Sequence, residues 1–104
     1  MNTPTVIEHL VAAQNNADSQ AYADCFSNNA IVHDEGKTHQ GKPAIKSWIE
    51  EANARYQTRM KPLEYSAADK TLKAEISGTF DGSPIVLTYH LAFTEGLIQS
   101  LSII

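Results

Sequence analysis

Apolar residues recur at helical spacing through the first half of the chain and alternate with polar ones through the second. Val6, Ile7, Leu10, Val11 and Gln14 fall on one side of a 3.6-residue repeat, which predicts a first helix. Thr3 or Thr5 can cap it, Pro4 suits an early helical position, and Asn15-Asn16 stops it. Asp18 is a good N-cap for a shorter second helix in which Ala21, Tyr22, Cys25 and Phe26 share a side. Ser27-Asn28-Asn29 reads as the turn that ends it.

Ala30 to Asp34 is short and β-branched, as a strand requires. Gly36 allows a tight reversal, after which Lys37 to Gln40 can pair back as a second small strand. Gly41-Lys42-Pro43 opens a third and longest helix, since proline is tolerated in the first turn. Ile45, Trp48, Ile49, Ala52 and Tyr56 line one face of it, and Lys46 and Glu50 are spaced to pair on the other.

Beyond Tyr56 the period changes to two. Leu63, Tyr65 and Ala67 alternate with Glu64, Ser66 and Ala68, and Asp69-Lys70 turns the chain. Leu72, Ala74, Ile76, Gly78 and Phe80 then mark one face of a half-buried strand. Asp81-Gly82 is a hairpin signal, followed by Ile85, Leu87, Tyr89, Leu91 and Phe93 on one face of the next strand. Glu95-Gly96 turns into a last strand, Leu97 to Ile104, with apolar residues on both faces. The order is helices first and a strand meander after, which predicts an α+β fold with a mostly antiparallel sheet. A strand apolar on both faces needs cover on both, so a homodimer through the sheet face is expected.

Composition narrows the function classes. At 104 residues the chain is expected to form one domain, residues 1–104, large enough to bury a core without staples. Its net charge of −4 and the lack of any Lys/Arg cluster argue against a nucleic-acid partner. Cys25 is the only cysteine, so neither an intramolecular disulfide nor a cysteine-based zinc site is available. No secretory signal is visible, and no apolar run approaches the roughly 18 residues of a membrane span. The expectation is a cytoplasmic protein with no membrane partner.

The chemistry concentrates in Ala30 to Gly41, which crowds His33, Asp34, Glu35 and His39 around Gly36. Alternation puts Asp34 on the same side as Ala30 and Val32, the inward side, and turns His33 outward. His90 likewise lies off the apolar face of its strand, where it could reach across a dimer. An inward Asp34 would be desolvated, which raises a carboxyl pKa toward the range of a general base. The bland alternative is an aspartate that caps the turn at Gly36. No pair of histidines has the His-x-x-x-His spacing of a helical metal site, and His33 and Asp34 face apart, so no metal is assigned. Cys25 lacks a basic neighbour and reads as an inert buried thiol.

Asp18 to Phe26, Asn29 to Asp34, Thr38 to Gly41 with Ala44-Ile45 and Trp48, and Phe93 to Ile98 together resemble the nuclear transport factor 2-like superfamily. The resemblance is to its SnoaL-like polyketide cyclase and ketosteroid isomerase branch and covers essentially the whole chain. It implies a cystatin-like fold: a cone-shaped, strongly curved sheet packed against three helices from the N-terminal half, enclosing a pocket. Asp34 would reach that pocket, with walls from Tyr22, Phe26, Val32, Trp48, Tyr65, Tyr89, Leu91 and Phe93. Aromatic walls with few polar groups suit a small apolar ligand.

The ketosteroid isomerases carry a proton-shuttling aspartate where this chain has Asp34. Their oxyanion tyrosine corresponds to Leu10 and their second acid to Tyr89, so one role is kept, one lost and one altered. His39 would sit beside the pocket mouth. Tyr89 and Tyr65 could donate hydrogen bonds to a ligand carbonyl, or simply be core tyrosines with hydroxyls at the rim. The fold hosts enzymes and non-catalytic proteins alike. Three functions are therefore open: a cofactor-independent isomerase or cyclase with Asp34 as base and Tyr89 as polariser, acting on a small carbonyl-bearing molecule; a non-catalytic binder of a small apolar ligand; and a dimeric interaction module.

Overall fold

In the computed structural model, which describes residues 3–103, three helices cover one face of a six-stranded sheet. The helices are α1 (Thr5–Asn15), α2 (Ser19–Ala23) and α3 (Lys42–Tyr56). The strands are β1 (Phe26–Asp34), β2 (Lys37–Gln40), β3 (Arg59–Ser66), β4 (Thr71–Ser77), β5 (Ile85–Thr94) and β6 (Leu97–Ile103). In the curved sheet they lie in the order β2-β1-β6-β5-β4-β3, antiparallel throughout except where β1 meets β6.

The helical repeat of α1 buries Ile7, Leu10, Ala13 and Gln14. No threonine caps it: Pro4 is the N-cap, and its carbonyl accepts from the Ile7 and Glu8 amides. Asn15 ends the helix but also docks it. Its side-chain amide pairs with the Met60 backbone, receiving the Met60 N–H at 2.7 Å and donating to the Met60 carbonyl at 3.0 Å. Those two hydrogen bonds fix the C-terminal turn of α1 beside the start of β3.

Asp18 caps α2 by accepting from the Ala21 amide at 3.0 Å. The helix is shorter than its apolar pattern, and Phe26 already belongs to β1. Ser27-Asn28-Asn29 is not a turn but a bulge within β1. Five residue steps from Phe26 to Ile31 face only two steps from Ile98 to Ser100, which pushes Asn28 and Asn29 into solvent. The turn-forming residues are thus used to bend a strand, and Ser27 Oγ holds the bend to Gln99 Oε1 at 2.6 Å.

Two further bulges correct the alternation read from sequence. In β3, Pro62 pairs with Ala74 and Glu64 with Lys73, so Leu63 is the extra residue and lies 45% exposed. In β6, Ile98 pairs with Phe93 and Ser100 with Ala92, which leaves Gln99 extra. Ile98 and Leu101, three residues apart, can then both point into the core. Past the bulge the outer side of β6 consequently carries Ser100 and Ser102, and exposed Leu97 lies ahead of it. Ile104 lies outside the described residues.

β4 ends at Ser77, earlier than its pattern, because Gly78 passes directly beneath the end of α3. A Cβ at Gly78 would collide with the Tyr56 carbonyl oxygen, and the Thr79 amide donates to that same oxygen at 2.7 Å. The Lys46–Glu50 pair does not form: Glu50 accepts from Ser19 Oγ at 3.0 Å, tying α3 to α2. The ion pair in this region is Lys42 with Asp24, at 3.2 Å.

The core runs along the inner face of the sheet, where Val32, Leu72, Ala74, Ile98 and Leu101 meet Ile7, Leu10 and Ile45 from the helices. Each such large aliphatic side chain contributes about 1.5–3 kcal/mol on leaving water. No helix among the described residues is long and apolar enough to cross a membrane.

Candidate functional site

Asp34 owes its place to the hairpin that follows it. Glu35 and Gly36 take positive φ of 53° and 74°, the two central positions of a tight reversal that matches strand twist. Asp34 is therefore the last residue of β1, on the same inner face as Val32, and it opens onto a cavity of about 460 Å³. The cavity lies between the inner sheet face and α3, and its walls are mostly apolar: Ile49, Ala52 and Tyr56 of α3, Ile76 of β4, Phe80, and Ile85 and Leu87 of β5. Such a volume is ordinary for a small-molecule site.

Few polar groups interrupt those walls. Tyr22 and Tyr89 are almost wholly buried, and both line the cavity with Asp34. Neither hydroxyl hydrogen-bonds a protein group among the described residues, so both are free to donate to a guest. Burial, chiefly, and the Asp34 charge raise the Tyr89 pKa well above its usual value. Burial also raises Tyr22, with added contributions from Tyr89, Cys25 and Asp34. Both are thus neutral donors at physiological pH.

The Asp34 carboxyl is itself shifted upward, first by desolvation and then by the neighbouring Glu35 charge. The Trp48 indole N–H, His39 and the Glu35 backbone N–H oppose the rise. A carboxylate held above its ordinary pKa in an apolar cavity, beside two phenolic donors, can take a proton from carbon while the donors hold the oxygen that becomes negative.

Of the residues expected at the site, Asp34, Tyr89, Tyr22 and Trp48 line this cavity together. His39 does not. It lines an adjoining space of about 140 Å³ with Lys37, Glu51 and Arg55, and its ring stacks on Trp48 at 5.6 Å between centroids. Phe26, Val32 and Leu91 are not cavity walls but buried core, and Tyr65 and Phe93 pack half-buried against that core. The cavity sits toward the start of β5 and the C-terminal half of α3, whereas Phe26 and Val32 lie on β1, Leu91 and Phe93 on the second half of β5, and Tyr65 on the edge strand β3. Leu10 is wholly buried and contributes nothing to it.

His33 and His90 are exposed and lie on the outer face, both in line with Ser102. Cys25 is buried, its thiol pushed up to about 11 mainly by desolvation.

Several lining residues were not expected. Phe80, Leu87 and Ile76 carried the alternation signal and needed only the location of the opening. Gln14 lay on the apolar face read for the first helix, which points inward but does not mark a cavity wall, and Thr58 carried no such signal.

No protein-family model matches the chain, and no curated protein sequence matches it. Solved structures do. A putative polyketide cyclase from Sinorhizobium meliloti superposes with a TM-score of 0.92 at 33% identity, over 100% of this chain and 97% of that one. A protein with a ketosteroid isomerase-like fold from Catenulispora acidiphila, in complex with trimethylamine, gives 0.86 at 21% identity, over 99% and 86% of the two chains. An uncharacterised cystatin-fold protein from Novosphingobium aromaticivorans gives 0.81 at 19%, over 100% and 98%.

Proposed function

The chain belongs to the nuclear transport factor 2-like superfamily, among its SnoaL-like members, and from that premise we propose that it moves a proton on a small, largely apolar ligand bearing a carbonyl group. Asp34 is the general base, and Tyr89 and Tyr22 hold the carbonyl oxygen as it gains negative charge. The observation that carries this reading is the placement of the Asp34 carboxylate and the hydroxyls of two buried tyrosines, unpartnered among the described residues, on one mostly apolar cavity whose wall also includes Glu35. Tyr22 takes up the donor role that Leu10 cannot fill. A proton transfer of this kind runs on side chains alone and calls for no cofactor. His39 acts through Trp48, against which it stacks, and keeps that ring and its N–H beside Asp34.

The test uses a simple bicyclic ketone, 2-tetralone, in deuterated water, with exchange of its α-protons followed by NMR. The protein is expected to accelerate exchange, and Asp34→Asn to lower the acceleration by about 10²–10⁴-fold, the usual worth of a positioned base. Saturable binding of the ketone with no accelerated exchange would leave a non-catalytic carrier, the reading that the loss of a donor at Leu10 favours. A homodimer through the outer sheet face belongs to the same proposal. It rests on exposed Val86 and Ala92 and half-buried Ile31. Sedimentation of the protein at micromolar concentration reads it directly.

A further inference from the structure

Gln14 is the one polar side chain among the described residues that is buried in the core, at 5% exposed, and it lines the cavity. A primary amide costs free energy to bury unless its groups are paired. Here only half of it is. Nε2 donates to Thr58 Oγ1 at 3.0 Å, and Thr58 Oγ1 donates to Asn53 Oδ1 at 2.6 Å. Gln14 Oε1 has no hydrogen-bond partner among the described residues. At the other end of the relay, Asn53 Nδ2 is buried and unpaired.

Turning both amides over exchanges which atom is loose at each end without pairing either. If the two amides turn over, Asn53 Nδ2 donates to Thr58, Thr58 donates to Gln14 Oε1, and Gln14 presents its NH2 to the cavity. The Gln14–Thr58–Asn53 chain can thus run in either direction, offering an acceptor one way and a donor the other. A hydroxyl group serves both.

Position separates this relay from Asp34. Trp48, beside Asp34, and Asn53, at the end of the relay, are five residues apart on α3, or about 7–8 Å along the helix axis at 1.5 Å per residue. The Asn15–Met60 pairing that docks α1 holds Gln14 over this second end. We propose that the Gln14–Thr58 end of the cavity is a second polar subsite, which takes a hydroxyl on the far end of an apolar ligand whose carbonyl or enol oxygen sits at Asp34, Tyr22 and Tyr89. This rests on the cavity reading above and narrows its ligand to a rigid molecule with two oxygens at opposite ends. An apolar ligand lacking the second oxygen leaves Gln14 unpaired and loses that interaction.

Two fluorescent probes separate the cases: 2-naphthol, with an oxygen at one end, and naphthalene-2,6-diol, with one at each. The purified protein is titrated into each, and the ratio of their dissociation constants is the readout. The wild-type protein is expected to favour the diol by about tenfold, the worth of one well-placed hydrogen bond. Gln14→Leu, and independently Thr58→Val, which frees the amide from its anchor, should bring the ratio close to one. A ratio near one in the wild-type protein, or a preference that survives in both variants, overturns the subsite while the cavity reading stands. Failure of both probes to bind the wild-type protein overturns the cavity reading, and this subsite with it.

Discussion

The same inner sheet face is filled at one end and open at the other. On the β1–β6 side, Phe26, Val32, Ile98 and Leu101 are entirely buried in one core with Ile7, Leu10 and Ile45. On the β4–β5 side, Ile76, Leu87 and Tyr89 face a cavity instead. Helix cover accounts for the difference. Over the filled end α1 and α3 supply large aliphatic side chains, whereas the open end is roofed by Ile49, small Ala52 and Tyr56, and α1 reaches it only with Gln14. The polar side chains follow the opening: Asp34, two tyrosine hydroxyls and an incompletely paired amide gather where there is room for a guest. Close packing is concentrated at one end and open volume at the other.

The contrast breaks most visibly under truncation. Phe26→Ala removes a ring from close packing and should cost about 3–5 kcal/mol, a large share of the 5–15 kcal/mol typical of a domain. Leu87→Ala removes a side chain that already borders empty space. It has fewer partners to lose and creates no new sealed void, so the cost should stay under about 2 kcal/mol. Urea unfolding midpoints of the two variants measure the difference. Equal losses would mean that the open end collapses onto Leu87 in solution.

Gly78 lies under the end of α3 at the open end, and Gly78→Ala tests that end at the next level. The added methyl must displace the end of α3 at the Tyr56 carbonyl, where nothing flexible can yield. Overpacking of that kind costs about 1–3 kcal/mol. Because Tyr56 and Phe80 both line the cavity and meet edge-on at 6.0 Å, the same change should weaken 2-naphthol binding. Full ligand affinity in a destabilised Gly78→Ala protein would show the cavity to be independent of this joint.

The filled end was largely legible in the residues. Strict alternation at Leu72, Ala74 and Ile76 and the helical face of α3 need only local periodicity to be read. The misreadings cluster at bulges: Ser27-Asn28-Asn29, Leu63 and Gln99 each shift the register, and a shift of one residue reverses which side faces in. Asp34 could be placed because the strand ahead of it is regular up to the Glu35-Gly36 turn. The cavity's extent could not, since an unfilled space leaves no mark on hydrophobic patterning: Phe26 and Leu87 look alike in sequence. The pairing of Gln14 was hidden for a related reason. Its partners, Thr58 and Asn53, are 44 and 39 positions away and are brought to it only by the docking of Asn15 on Met60.

The smallest expected effect has the opposite sign from the others. The folded Asp34 carboxyl has a pKa above its ordinary value, so the native state holds that proton more tightly than the unfolded chain does. Stability therefore falls as pH rises from the ordinary carboxylate range through the raised folded value, and above it the charged, partly desolvated Asp34 works against folding. Asp34→Asn removes that opposition. Its melting temperature should exceed the wild type's at pH 7, and the gap should close below both pKa values, near pH 3. In the same samples, wild-type exchange of 2-tetralone should decline as acidification protonates the base, with a midpoint above the roughly 4 of a free aspartate. A lower melting temperature for Asp34→Asn at pH 7 would make Asp34 a structural carboxylate holding its turn. The open end would then differ from the filled end only in packing, and not in having been kept polar at some cost to the fold.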